Sequence, residues 1–156
     1  MHLLGLDKGD RRARFGSALS DDAIVAYTQG IDTTRGILIG ASPLSGTRLI
    51  GAAEAQITGT RGRVEIAVSV HARLREQGLG TLLVNAVLHA AFGAGATAAE
   101  FVFSPENRPI VGLVRGLGAR MYPTLDGAKI HSGNYRPGAT LSATLTTTGT
   151  IWARDV

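Results

Sequence analysis

The chain has 156 residues, a formal net charge of +4, 44% hydrophobic residues and 18% charged residues. That is the length of one domain, with enough apolar side chains for one core, and it excludes an intrinsically disordered polypeptide. With no cysteine, disulfides, zinc–thiolate sites and a cysteine nucleophile are excluded as well. Residues 1–156 are expected to form a single domain, with 137–156 as a Thr-rich C-terminal strand or tail.

In chain order, Asp7 to Gly16 reads as a short polar helix or turn carrying Asp10, Arg11, Arg12 and Arg14. Ser20-Asp21-Asp22 opens a firmer helix, because Ser20 can cap it and the two carboxylates suit the positive end of its dipole. Three strand-like runs follow, Gly36 to Ala41, Arg48 to Thr58 and Arg63 to Val70, joined by short turns that imply an antiparallel meander. The third alternates cleanly, with Val64, Ile66, Val68 and Val70 facing one way and Glu65, Ala67 and Ser69 the other. Leu79, Leu82, Leu83, Ala86, Val87 and Ala90 then mark an amphipathic helix, stopped near Gly93 and Gly95. Ala98 to Phe103 is a fourth strand. Ile110, Leu113, Val114 and Leu117 form another helical stripe, closed by Gly118. Ala119 to Ser132 has room for one or two strands, and Pro137 to Thr150 is rich in Thr and Gly, which favours extended structure or a loose tail. The order predicts a mixed α/β fold whose sheet is antiparallel early and gains a parallel pair across the central helix.

Several function classes are disfavoured by the same pass. The longest apolar candidate, Leu82 to Phe92, is broken by Asn85 and His89 and is too short to cross a bilayer. The opening residues lack a basic stretch and a long apolar stretch, so no signal peptide is expected and the cytoplasm is the expected compartment. All but two of the 16 basic residues are arginines, the better fork for phosphates and carboxylates. There is no Lys/Arg run, aromatics are only 5%, and no nucleic-acid partner is expected. No His/Asp/Glu spacing suggests a metal.

The informative segment runs from Val68 through Arg73, Arg75, Gln77, Gly78, Leu79 and Gly80 to Thr81: a strand, a loop, two glycines one residue apart, then a helix start. Glycines let successive backbone N–H groups converge, and a helix start adds unpaired donors and a positive dipole end. That is a phosphate cradle. It is not a Walker A loop, since no Gly-Lys-Ser/Thr follows, and the third glycine of a dinucleotide fingerprint is replaced by Leu83.

Arg75-x-x-Gly78-x-Gly80 resembles the Arg/Gln-x-x-Gly-x-Gly/Ala signature of the GNAT superfamily of acyl-CoA-dependent N-acetyltransferases. The likeness extends over roughly Arg48 to Arg120, including the preceding strand, the following helix, Glu106-Asn107 and Leu117-Gly118-Ala119. It implies a GNAT-like fold: a central, largely antiparallel sheet with a splayed parallel strand pair, flanked by helices, in which the strand before the loop bulges away from the next. It implies acetyl-CoA as cosubstrate, with Val68 and Val70 offering main-chain hydrogen bonds to the pantetheine arm. An N–H near Val70 would serve the thioester carbonyl, and the N–H groups from Gln77 through Thr81 the pyrophosphate, with Arg75 beside it. Asn107 would hold the pantetheine end or cap the last helix.

Acetyl transfer to an amine needs a neutral amine. Deprotonating a lysine at pH 7 costs roughly 4.6 kcal/mol, an α-amino group about 1 kcal/mol. Glu65, on the strand leading to the thioester, is the candidate general base, acting directly or through a water, and Glu54 is the second candidate. Two positions depart from the family pattern: a Tyr that often protonates the leaving thiolate falls on Val114, and a common carboxylate falls on Val102. Tyr122 and Tyr135 are the tyrosines left to substitute. Asn85 and His89 read as solvated, and Trp152 as a packing anchor. The resulting expectation is an N-acetyltransferase moving an acetyl group from acetyl-CoA to a primary amine by direct attack. The alternative is a non-catalytic acyl-CoA-binding regulatory module of the same fold. The acceptor and the oligomeric state stay open, although a Thr-rich terminal strand could pair with a second copy.

Overall fold

The computed structural model describes residues 2–32, 34–43, 48–122, 127–135 and 150–154. Two short helices come first. In α1 (Lys8–Phe15) the Asp7 carboxylate accepts the Asp10 N–H at 2.8 Å, and the helix ends at Gly16 with φ 75°. In α2 (Asp21–Gln29) the Ser20 hydroxyl accepts the Ala23 N–H at 3.2 Å, the cap expected from its sequence. Arg11 clamps the two together. It donates to the backbone carbonyls of Leu6 and Leu19 and pairs with Asp21 at 2.6 Å.

The strands are β1 (Gly36–Ser42), β2 (Gly51–Ile57), β3 (Arg63–Val70), β4 (Ala98–Val102), β5 (Arg120–Met121), β6 (Gly127–His131) and β7 (Thr150–Arg154). They form one sheet in the order β5-β6-β4-β3-β2-β1-β7. Only β3 and β4 run parallel; the other described pairs are antiparallel. Helix α3 (Leu79–Gly93) makes the crossover between them, and α4 (Arg108–Gly116) follows β4. The mixed sheet with one parallel pair is the predicted architecture, and Ala119 to Ser132 supplies two of its strands. The Thr-rich run before Thr150 lies outside the described residues, while β7 pairs with β1 of its own chain.

The alternation in β3 sends Val64 and Ile66 to the α3 side, where Ile39, Ala53 and Ala55 of the neighbouring strands join them. Leu83, Val84, Val87 and Leu88 of α3 are fully buried over that face, with Phe101 and Val114. The opposite face carries Glu54, Glu65, Ala67 and Ser69, and α1 and the residues before it lie over part of it. Asn85 corrects the sequence reading. It is 7% exposed, its side-chain amide donates to the Thr81 carbonyl at 2.9 Å, and the Tyr135 hydroxyl donates to its backbone carbonyl at 2.9 Å and to its Oδ1 at 3.3 Å. The chain after β6 packs back onto α3 and supplies the partner that a polar side chain needs at that depth.

Candidate active site

The parallel pairing of β3 with β4 stops at Ile66↔Phe101, four residues before β3 ends. Its pairing with β2 runs on without interruption from Ile57↔Val64 to Gly51↔Val70. The strands therefore part as expected, but no residue is inserted in β3, and the bulge expected with the splay is absent. Backbone alternation fixes what the gap receives. The His71 N–H donates to Ile50 and the Arg63 carbonyl accepts from Thr58, so odd-numbered residues of β3 point to β2. Val68 and Val70 thus turn both N–H and C=O toward the side β4 has left.

A cleft of about 1350 Å³ runs through this gap. It exceeds the usual size of a small-molecule pocket and suits a long ligand. Beyond Val70 lies the glycine loop. Glu76 (φ 60°) and Gly78 (φ 83°) both adopt left-handed backbone, which turns the chain sharply into α3. The first α3 bond in this region runs from Leu82 N–H to the Gly78 carbonyl, and no side chain caps the helix. The N–H groups of Gln77 through Thr81 have no acceptor among the described residues. A Cβ on Gly80 would stand 3.7 Å from Val70 and 3.8 Å from Leu113, so this glycine is floor between the two walls of the gap. Donors and space together fit a diphosphate. Arg75 pairs with Asp10 of α1 at 2.5 Å and donates to the Val70 carbonyl at 3.3 Å, so its guanidinium ties α1 to the loop.

The cleft continues on the far face of the sheet, between α1 and β3. Glu65 is exposed there, and its carboxylate has no hydrogen bond or ion pair among the described residues. Ser69 bonds the imidazole of buried His2 at 3.0 Å. Burial pushes the His2 imidazole below its usual range, against the Ser69 backbone bond and with help from the positive charges at His71 and Arg48. Glu54, the second candidate base, is 5% exposed and accepts hydrogen bonds from Arg14 and from the Tyr27 hydroxyl. Burial, reinforced by Glu54 and opposed by Arg14, holds the Tyr27 hydroxyl up at about 12, so it stays a donor. Glu54 is therefore a structural carboxylate that holds Arg14, and removing either member of that pair would cost about 3–5 kcal/mol.

The candidate base Glu65 and the residues expected to hold the cofactor, Val68, Val70, Arg75, Gln77, Gly78, Leu79, Gly80, Thr81 and Asn107, line this one cleft, whereas Glu54 does not. Asn107 occupies the first position before α4, yet its side chain makes no capping bond. Val114 is fully buried, and Val102 is 68% exposed on the cleft. Tyr135 is buried against Phe92 and Asn85. Sequence reasoning missed Asp10 and Arg14, whose spacing of four on one helix face was the available signal, and His2, which carried none. No group of His, Asp and Glu able to hold a metal occurs among the described residues, and no described helix is long and apolar enough to cross a membrane.

Known proteins match this architecture. The sequence model of the acetyltransferase (GNAT) family matches residues 6–119. The GNAT domain of S. lividans PAT superposes with a TM-score of 0.68 at 14% identity, covering 81% of this chain and 79% of that one. A spermidine N-acetyltransferase from Vibrio cholerae, in complex with CoA and spermine, gives 0.68 at 16% identity, with 86% and 89% covered. An acetyltransferase from Bacillus subtilis in complex with CoA gives 0.54 at 22% identity, with 75% and 72% covered.

Proposed function

Since the chain belongs to the GNAT acetyltransferase family, we propose that it is an N-acetyltransferase that passes an acetyl group from acetyl-CoA directly to a primary amine. The observation that carries this is the cleft through the β3/β4 gap, with free backbone donors at one end and Glu65 at the other. Acetyl-CoA would supply an activated thioester carbonyl. The backbone N–H groups of Gln77 through Thr81 hold its diphosphate, and Arg75 adds charge once it leaves Asp10. Val68 and Val70 extend β3 by pairing with the pantetheine arm, and the N–H near Val70 donates to the thioester oxygen. Asn107, with its side chain uncapped at the opposite wall, is placed to bond the same arm. Glu65 takes the proton that the amine nitrogen loses as the new C–N bond forms and the C–S bond breaks. The thiolate leaves with that electron pair. At a thiol pKa of about 8.5 it is a tolerable leaving group, so Val114 in place of a tyrosine need not prevent turnover.

The test is acetyl-CoA binding by calorimetry, followed by thiol release with a panel of amines, amino acids and peptides. Binding with release supports the reading. Binding without release from any acceptor favours the acyl-CoA-binding module, for which the buried Val114 speaks. Failure to bind acetyl-CoA would overturn both.

A further inference from the structure

We infer that Arg14 is an anion anchor in the far half of the cleft, and that the acceptor is an amine that also carries a carboxylate, of the amino-acid class. The assignment takes that half of the cleft to be the acceptor side of the transfer proposed above. Arg14 is unusually well held for a residue that lines a cleft. Its side chain is 11% exposed. Its Nη2 donates to the Glu54 carboxylate and, at 3.0 Å, to the Tyr27 hydroxyl. The guanidinium carbon stands 4.8 Å from the centre of the Phe15 ring and 5.6 Å from that of Tyr27. All of these polar bonds use one nitrogen. Nε and Nη1 have no partner among the described residues, and no buried side-chain nitrogen there lacks one. Their N–H groups therefore reach open space, and Arg14 lines the cleft. A guanidinium is charged at every working pH and holds its donors in one rigid plane. Here both Nη2 protons are taken by Glu54 and Tyr27, so an anion would be met by the single N–H donors of Nη1 and Nε on a preorganised cation.

The charges around it favour a zwitterion over a polycation. Glu54 balances Arg14, and Asp10, one turn earlier on the same helix, is taken by Arg75 at 2.5 Å. Glu65 is left to face the amine. Glu54 lies opposite Ala67 in the β2/β3 register, and Glu65 is the next residue of β3 on that face, about 7 Å along the strand. Glu65 and the Glu54–Arg14 pair thus lie one strand step apart on one face, so an amino group at Glu65 and a carboxylate at Arg14 can belong to one small molecule. A polyamine would set its second cation against Arg14.

The test uses the full chain saturated with CoA and matched ligands: N-acetylated amino acids and their carboxamides, titrated by calorimetry. At least one acid is expected to bind ten times more tightly than its amide or better. That advantage should fall below threefold in Arg14→Lys, which keeps a cation beside Glu54 but lacks the Nε and Nη1 donors. The double variant Arg14→Met/Glu54→Gln removes both charges and serves if the lysine variant melts early. Equal affinity for acids and amides across the panel, no binding of any member, or an advantage that survives in both variants would overturn the anchor. Thiol release with the free amino acids and their decarboxylated amines separates the two readings. Carboxylate-selective binding without any release keeps the anchor and overturns the transfer. Release that ignores the carboxylate does the reverse.

Discussion

Gly80→Val probes the phosphate cradle with little cost to the fold. Gly80 sits in the first turn of α3, and its φ does not require glycine. A Cβ there meets only Val70 and Leu113, at 3.7 and 3.8 Å, so alanine fits at ordinary contact distance. Valine adds two methyl groups beyond that Cβ, in the space between β3 and α4 where the diphosphate is proposed to lie. Valine is no worse than glycine in a helix, so stability should stay within about 0.5 kcal/mol of wild type. Displacing the diphosphate from one N–H loses a charge-assisted bond of about 1.5–3 kcal/mol, which corresponds to roughly 10- to 150-fold in the acetyl-CoA dissociation constant. Calorimetry with acetyl-CoA, beside urea unfolding of the free protein, measures both quantities. Gly80→Ala should fall between wild type and valine. Unchanged affinity in the valine variant, with unchanged stability, would show that the diphosphate is not at this loop.

Three other outcomes are expected. Glu65→Gln should lower kcat by about 100-fold or more while leaving acetyl-CoA affinity intact, with the largest loss for acceptors of high pKa; a pH–rate profile identical to wild type would remove Glu65 from the reaction. Asp10→Asn should release Arg75 from α1 and tighten acetyl-CoA binding by up to about fivefold, since a partly exposed pair is worth at most about 1 kcal/mol; weaker binding would mean that Asp10 positions Arg75 for the ligand. His2 has a lowered pKa in the folded chain, so below about pH 6.5 the unfolded chain binds the extra proton first and stability falls as the pH drops. His2→Gln should flatten that fall in urea midpoints measured between pH 7.5 and 5, and an equally steep fall in the variant would place its origin elsewhere.

The two faces of the sheet differed in how far they could be read. On the α3 side the proposed work falls to the backbone, and a backbone cradle leaves marks in local sequence. The Gly78/Gly80 spacing, the alternation of β3 and the leucine stripe of α3 lie within one continuous stretch, and the backbone N–H groups they single out, Gln77 through Thr81, belong to residues that line the cleft. The parting of the strands was legible only through family resemblance, and its form differed, because the unbroken β2 register holds β3 regular and leaves β4 to diverge. On the opposite face the groups are side chains brought together from distant segments. Arg14 meets Glu54 across forty residues, and His2 meets Ser69 across sixty-seven. Neither pair has a spacing that pattern reading can detect. Asn85 failed for the same reason, since its partner, Tyr135, arrives fifty residues later.

That asymmetry bears on specificity. A backbone cradle accepts any sequence that can make the turn, so the proposed acyl-donor site can persist while side chains change. The face over β2 and β3 is built from α1, whose position is fixed by the Arg11 clamp, by the Arg14–Glu54 pair and by Asp10 on Arg75. A shift of α1 moves the proposed anchor and the loop arginine together. If Arg75 turns to a bound diphosphate, α1 loses one of its three ties just as the far half of the cleft must admit an amine. Donor binding should then precede acceptor binding. Steady-state patterns would show it: an acceptor-site inhibitor should be uncompetitive against acetyl-CoA in wild type and become mixed in Asp10→Asn, where that tie is already cut. Uncompetitive inhibition retained in the variant would mean that α1 does not communicate through Asp10.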